Sequence, residues 1–386
     1  MKALLTLCLI LSSLSWTYTQ SLSSGIKFDE TAWNEILQKA REDNKLIFVD
    51  AFTTWCGPCK KMSKNVFTNR RVADFYNKKF INVKMDMERG DGPGLATDYD
   101  VFVYPTLLFI DGNGTLVHRA AGYHDVGQFV SLGKVALDPD RRLSAQEDKY
   151  ANGNREADFL YDFAYTKMEA YDGTHPEIAD QYLKTQTDWS TDKNLELIFD
   201  MVNDAQSPMF DYLVDHKGQF ERKYGPASVF AKIQQLIFHE LDGGNTLEDL
   251  DRLFKKAYPE RADEMSARFR VTYYRQARDA EKFAEAATYY AKKYKVKDAD
   301  ELNDLAWSFY ELVDEPRQLK RAVKWAKKSV KQQDTYYNND TLAALYYKLQ
   351  KQKPGRLAAQ RAIALARESG EDYAETQELL DRINAL

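Results

Sequence analysis

The sequence predicts an α/β domain followed by an all-α region built in part from helical repeats. Three observations carry that reading. Between Gly25 and Pro139, strand-like apolar runs alternate with helical segments, the pattern of a small sheet with helical crossovers. Past "LDPDRR" (137–142) the strand-like runs largely vanish, and helical segments rich in Ala, Tyr, Lys and Glu take over. At 386 residues the chain is also too long for one ordinary core, so two or more domains are expected.

Trp33, Ile36, Leu37 and Ala40 stand at helical spacing and predict a helix within 30–43. "KLIFVDAF" (45–52) is an apolar run interrupted by one Asp, as a central strand buried on both faces requires. A helix is expected to follow from the two cysteines at 56 and 59, with Met62, Val66, Val72, Phe75 and Tyr76 as its apolar residues. "KFINVKMDM" (79–87) and "PTLLFID" (105–111) read as the second and third strands. "DGNG" (111–114) is a strong hairpin turn into "TLVHRAAG" (115–122), and residues 124–136 form a last helix. The expectation is of parallel strands with helical crossovers, closed by an antiparallel hairpin. "GDGPG" (90–94) is glycine-rich, but no Lys-Ser/Thr follows, so it reads as a surface loop and not a phosphate-binding loop.

Beyond residue 143 the segments 143–264 read as helical without a clear repeat, and 265–386 show a weak one. Phe283-Ala284-Glu285-Ala286-Ala287-Thr288-Tyr289-Tyr290, Ala322-Val323-Lys324-Trp325-Ala326 and Gly355-Arg356-Leu357-Ala358-Ala359 occupy comparable places. Ala322, Ala326 and Ser329 recur 33 residues on as Gly355, Ala359 and Ala362. The preceding helices "LNDLAWSFY" and "NDTLAALYY" recur at 37, so one loop is longer. Small residues where paired helices cross, at a period near 34, resemble tetratricopeptide repeats. The Tyr-Tyr pairs at 273–274, 289–290, 336–337 and 346–347 read as helix-packing residues in preference to a ligand site.

Composition narrows the function classes. The chain is 44% hydrophobic and 29% charged, which suits a globular protein and argues against long disorder. A net charge of -5, with a pI near 5.7, gives no electrostatic reason to expect nucleic acid. The N-terminus, "MKALLTLCLILSSLSWTYTQS", sets one Lys before an apolar run from Ala3 to Leu11, then small polar residues. That is the layout of a secretory signal peptide over residues 1–19, cut near Gln20. The run is less than half the ~20 residues a spanning helix needs, and bulky Leu7 argues against a lipid anchor on Cys8. The mature protein is therefore expected outside the cytoplasm, periplasmic or extracellular, with no membrane insertion once the leader is removed. The terminal "RINAL" is not an endoplasmic-reticulum retention tag.

Export sharpens the meaning of "TTWCGPCKK" (53–61). Cys56 and Cys59 would be the only thiols left, and they admit three readings: a structural staple, half of a metal site, or a redox centre. A bridge that closes so short a loop removes little chain entropy, so it is a poor staple. A metal site needs more ligands. No second Cys pair exists, and His118, His124, His175, His216 and His239 lack ligand spacing, so no metal is expected. Asp50 is the unusual residue nearby. A carboxyl in an apolar strand is desolvated and its pKa rises, which makes it a proton acceptor near neutrality; the competing reading is a strand-edge Asp facing solvent.

"FVDAFTTWCGPCKKM", followed by "VYPTLLFIDGNG", resembles the thioredoxin-fold family. The longer string "WCGPCKKMSKNVFTNRRVADFYNKKFINVKMDME" is similar to exported thioredoxin-like domains related to the C-terminal domain of membrane thiol–disulfide interchange proteins. The resemblance covers about 25–139 and rests on several features together: strand context, Trp55, Asp50 six residues before Cys56, and Pro105 46 residues after Cys59. It implies a thioredoxin fold and thiol–disulfide oxidoreductase chemistry with no cofactor beyond the Cys56–Cys59 pair. Cys56 at a helix N-terminus meets free N–H groups and the positive helix end, which favour the thiolate that attacks disulfides. Pro58 presets the first turn, Gly57 leaves room for a substrate sulfur, and Cys59 lies one turn on, ready to resolve the mixed disulfide.

By the same resemblance Asp50 assists deprotonation of Cys59 through water, with Lys84 as its charge partner. Tyr104-Pro105 matches the cis-proline site opposite the cysteines, where the backbone pairs with extended substrate; Tyr104 departs from the usual Ile or Val. Trp55 packs beside the disulfide or serves the core. The Gly-Pro spacer belongs to the strongly reducing members, while an exported reductase needs re-reduction by a membrane electron donor. The expected partners are protein disulfide substrates, that donor, and a client or partner recruited by the helical repeats. The competing reading is a helical-repeat adaptor with a subordinate thioredoxin domain.

Overall fold

The computed structural model describes residues 25–241 and 243–386; the expected leader, with Cys8, lies outside the described residues. The chain forms two compact units, the first ending at Met201 and the second beginning at Val202.

In the first unit the chain runs α1 (Trp33–Asp43), β1 (Leu46–Phe52), α2 (Gly57–Asn65), α3 (Arg70–Lys79), β2 (Phe80–Asp86), α4 (Gly92–Asp98), β3 (Thr106–Ile110), β4 (Leu116–Ala121) and α5 (Val126–Leu137). The four strands form one mixed sheet in the order β2-β1-β3-β4. β1 is thus interior, and its uninterrupted apolar run follows from burial on both faces. The period-two alternation of a strand divides its side chains. Ile47 and Val49 meet Ile36 and Ala40 of α1, whereas Phe48 meets Met62, Tyr76 and Phe129 of α2, α3 and α5. That second face is an aromatic core. Tyr76 and Phe129 stack at 4.1 Å, the Tyr76 hydroxyl donates to the Phe129 carbonyl at 2.7 Å, and Phe48 lies edge-on to both. The Asp125 side chain and Gln128 cap α5 reciprocally, which fixes where that helix begins.

Three local expectations are corrected. The helix expected from the cysteines through Tyr76 is two helices. The Phe67 N–H bonds back to Met62, ending α2, and the Asn69 side chain accepts the Arg71 N–H to open α3. "GDGPG" is not only a loop, because Gly92-Pro93-Gly94 begins α4; a Cβ on Gly92 would lie 1.9 Å from the Asp86 carbonyl oxygen. Only β1 and β2 are parallel, and β3 runs antiparallel to β1. β2 finishes at the sheet end where β1 finishes. The connection through α4 brings the chain back in at that same end, so β3 starts where β2 stopped.

The unit continues past Pro139 into α6 (Leu143–Ala151), α7 (Ala157–Glu169), α8 (His175–Lys184) and α9 (Asp192–Met201). α6 and α7 pack along the edge strand β4. The Leu143 N–H donates to buried His118 Nδ1 at 3.1 Å, tying the start of α6 to that strand.

The second unit is helical throughout its described residues: α10 (Pro208–Asp215), α11 (Lys217–Tyr224), α12 (Pro226–His239), α13 (Leu247–Ala257), α14 (Ala262–Gln276), α15 (Ala280–Lys293), α16 (Ala299–Leu312), α17 (Pro316–Gln332), α18 (Tyr336–Lys348), α19 (Gln352–Ser369) and α20 (Ala374–Asn384). α14 runs unbroken across the boundary expected at 264/265. Ala322, Ala326 and Ser329 of α17 are buried, as are Gly355, Ala359 and Ala362 of α19. A Cβ on Gly355 would press to 3.3 Å from Tyr346 Cβ, so the small residue sets how closely α18 and α19 approach. Of the tyrosine pair at 289–290, Tyr290 is buried and Tyr289 exposed, so one member packs and the other faces water.

The aromatic face behind β1 yields a stability prediction. Phe129→Ala removes the ring that Tyr76, Phe48 and Phe67 contact, leaving a cavity with little room to collapse. Urea unfolding of this variant is expected to show a loss of about 3–5 kcal/mol.

Candidate active site

β1 delivers the chain at Phe52 into a short loop, Thr53-Thr54-Trp55, whose Thr53 carbonyl accepts the Cys56 N–H at 3.3 Å. Cys56 is the N-cap of α2, with Gly57 and Pro58 opening the helix. The Cys59 N–H points at Cys56 Sγ from 3.1 Å. Cys56 and Cys59 are joined as a disulfide with Cα atoms 5.3 Å apart, and both are buried. An N–H group and a helix N-terminus aimed at a sulfur stabilise negative charge there. Pro58 lacks an N–H in a turn that would leave it unpaired. Nothing lies within 4 Å of where a Gly57 Cβ would stand, so the approach over the disulfide is open.

Asp50 shares the strand parity of Phe48 and therefore points to the α2 side of the sheet. It is fully buried, and neither carboxyl oxygen has a hydrogen-bond partner. The reading of a solvent-facing Asp is thereby excluded. Lys84, its register partner on β2, sets Nζ 3.8 Å from Asp50 Oδ2 and donates to Ser63 Oγ of α2 at 2.6 Å. The same ammonium sits 4.8 Å over the Phe52 ring. Desolvation pushes the Asp50 pKa up to about 7 against the opposing pull of Lys84. The carboxyl therefore exchanges its proton near neutrality, one strand beneath the helix that carries Cys59.

Tyr104-Pro105 is a cis peptide bond at the start of β3, and the Gly122 N–H donates to the Pro105 carbonyl at 2.8 Å. Trp55 takes no core role: it is 64% exposed, its indole N–H donates to Glu88 at 2.9 Å, and its ring stands edge-on to Tyr104 at 5.9 Å. Trp55 and Tyr104 thus meet beside the loop that leads into Cys56, with Trp55 as the exposed member.

The sequence singles out none of several further residues around this site as site residues. Phe102 is exposed and meets Tyr171 edge-on at 5.8 Å. Tyr123 carries Lys61 over its ring at 4.5 Å. His124 is buried; Nδ1 donates to the Gly122 carbonyl and Nε2 to Glu169 of α7, each at 3.1 Å. Both partners are acceptors, so the two contacts are met together only by a doubly protonated ring. Burial opposes that charge, but the Glu169 carboxylate and Gly122 carbonyl outweigh it and hold the His124 pKa above its usual value. His118 is the reverse case: burial brings its pKa down to about 4, and its Nδ1 accepts a backbone N–H. The only local signal for any of these was an aromatic residue beside the Tyr104-Pro105 motif. Among the described residues, no group of three or more His, Cys, Asp or Glu could hold a metal ion.

Comparison with known proteins places this geometry. A family model described as thioredoxin-like matches residues 29–112. Thioredoxin H-type 2 of Nicotiana tabacum is 36% identical over 91 residues, 24% of this chain and 71% of that protein. The thiol:disulfide interchange protein DsbD of Tatumella citrea is 30% identical over 97 residues, which is 24% of this chain but only 17% of DsbD. A solution structure of a candidate disulphide-isomerase from Bacteroides thetaiotaomicron shares 46% identity, covering 30% of this chain and 96% of that one, with a TM-score of 0.28. The chain belongs to the thioredoxin family, and its N-terminal domain is a thiol–disulfide oxidoreductase whose redox-active disulfide is part of the protein itself.

Asp50 makes stability depend on pH. Between pH 3.8 and about 7 the folded protein keeps a proton on Asp50 that the unfolded chain has released, so stability falls as pH rises through that window. Asp50→Asn removes the charge that must be buried above it. Urea unfolding of the oxidised protein is expected to find this variant more stable by about 2–4 kcal/mol at pH 8, with the gain fading towards pH 4. Parallel wild-type and variant profiles across pH 4–8 would contradict the raised pKa.

Proposed function

We propose that this chain is an exported enzyme that reduces or isomerises protein disulfides, with its helical region recruiting a client or partner. The single observation that carries the reading is the Cys56–Cys59 pair at the start of α2, above a fully buried carboxyl whose pKa is about 7. In the reducing direction the Cys56 thiolate attacks one sulfur of a substrate disulfide. The Cys56–substrate bond forms as the substrate's S–S bond breaks, and the departing sulfur takes a proton. Asp50 accepts the Cys59 proton, and Cys59 then attacks Cys56 Sγ. The internal disulfide forms and the second substrate sulfur leaves as a thiolate, which takes up the proton that Asp50 accepted from Cys59. Two electrons and two protons pass to the substrate in all, and a dithiol donor must restore the enzyme.

The leader-like N-terminus supports export, and with it a periplasmic or extracellular site of action. Likeness to one domain of DsbD supports a membrane electron donor as the source of reducing equivalents. Exposed Trp55, edge-on to half-buried Tyr104, supports contact with extended polypeptide at this edge. Recruitment by the helical region is supported by the large exposed side chains Tyr289, Trp307, Tyr337 and Leu357 of the second unit.

Two experiments test the proposal. Wild-type protein with dithiothreitol should reduce insulin disulfides, whereas Cys56→Ser should not; equal rates would remove Cys56 from the chemistry. Cys59→Ala should accumulate clients as mixed disulfides on Cys56. If nothing is trapped, and the helical region alone captures the same partner, the protein is an adaptor and the dithiol is subordinate. For Asp50→Asn, resolution of a mixed disulfide at pH 7 should slow by roughly tenfold to a hundredfold. The deficit should narrow as pH rises and hydroxide takes over as the base.

A further inference from the structure

α7 ends on a residue that its backbone does not favour. The Tyr171 N–H donates to the Met168 carbonyl and the Asp172 N–H to the Lys167 carbonyl, each at 2.9 Å. This is the paired closure of a helix in which the residue after the C-cap is left-handed and usually glycine. Tyr171 takes that place with φ 56. Its side chain is not there to be buried, since it remains 55% exposed. Neither local conformation nor core packing accounts for a tyrosine at this point.

Its position accounts for it. The Tyr171 ring meets exposed Phe102, three residues before Pro105, and two residues after Phe102 the Tyr104 ring meets Trp55, the neighbour of Cys56. The run into the cis-proline is thus flanked by two aromatic pairs: exposed Phe102 with exposed Tyr171 beyond the end of α7, and half-buried Tyr104 with exposed Trp55 of the redox loop. The last residue of α7, Glu169, also holds His124, two residues beyond the Gly122 that bonds to Pro105. Lys167 fixes this end of the helix through Glu147 at 2.7 Å and Asp172 at 2.8 Å. From the sheet side, Arg119 of β4 donates to the Tyr99 and Asp100 carbonyls and ties down the segment that carries Phe102. One helix end therefore braces both segments that border Pro105.

We propose that the C-terminal turn of α7 belongs to the substrate-binding edge. Tyr171 and Phe102 form a ledge there that takes an aromatic side chain of an extended polypeptide close to the cysteine under attack. The occupant follows from continuity with the redox site: the ledge abuts the segment leading to Pro105, so a chain whose disulfide reaches Cys56 can pass over it. Paired rings prefer an aromatic guest, which can stack or stand edge-on to them. The inference rests on the oxidoreductase reading and adds to it a specificity determinant from outside the sheet domain. Glu169 and His124 act as positioning residues that hold the loop beside the ledge.

The test uses pre-reduced full chain, freed of dithiothreitol and mixed with excess fluorescence-quenched peptide disulfides. Two peptides differ only in carrying Phe or Ser near the cysteine. Wild type should reduce the Phe peptide faster by roughly tenfold, and Tyr171→Phe should keep that ratio. Tyr171→Gly suits the backbone at 171 and so should fold; with Phe102→Ala, it should bring the ratio close to one. General damage to the fold or the dithiol would slow both peptides and leave the ratio unchanged. A wild-type ratio near one, or a ratio that survives Tyr171→Gly, overturns the ledge while leaving the oxidoreductase reading intact. Failure of wild type to reduce either peptide overturns the oxidoreductase reading, and the ledge with it.

Discussion

A carboxyl group buried without a hydrogen-bond partner is the constraint on which the rest of this active site depends. Asp50 sits on β1, an interior strand of the sheet whose Asp50 face packs against α2. The apolar residues around it deny it water, and it is this denial that moves its protonation into the physiological range. Lys84 tempers the effect without abolishing it, because its ammonium is shared among Asp50, Ser63 and the Phe52 ring. The aromatic packing of Phe48, Tyr76 and Phe129 lies on the same face of β1 as Asp50, so the carboxyl shares an apolar side of the sheet.

The redox dithiol and the edge around it are built by different means. The dithiol is local, set by a strand end, a four-residue motif and the first turn of one helix. The edge is assembled from segments far apart in the chain, Trp55, the run from Tyr99 to Pro105, the loop at Gly122, and the end of α7. Chemistry common to a family can therefore stay fixed in the motif while the surroundings change with whatever is appended. In this chain the appended helices α6 and α7 are part of the same compact unit as the sheet.

That division explains what the sequence discloses. β1 was legible because burial on both faces leaves an unbroken apolar run, and Asp50 was legible as the one residue that breaks it. The cysteine motif and Pro105 were legible through their spacing. The break between α2 and α3 was not, since Val66 and Phe67 continue the apolar pattern and only the backbone bond to Met62 and the cap at Asn69 divide the helix. The direction of β3 was not legible either, since the stretch between β2 and β3 is long enough to reach either end of the sheet. Trp55 could be assigned to the surface only once Glu88 was seen to hold its indole. Phe102 with Tyr171, and His124 with Glu169, are long-range pairs; no periodicity or short motif encodes them.

The packing of α6 and α7 along β4 has a further consequence. A sheet of four strands has two borders, and free borders invite strand addition from other chains. β4 is covered by these helices, and β2 is met on its outer side by Asp29, which bridges to Val83 and donates its N–H to the Asn82 carbonyl. A border without such neighbours would leave its backbone N–H and C=O groups open to any extended segment that met it. With both borders met by other parts of the same chain, strand addition at this sheet is opposed by the protein's own backbone and helices.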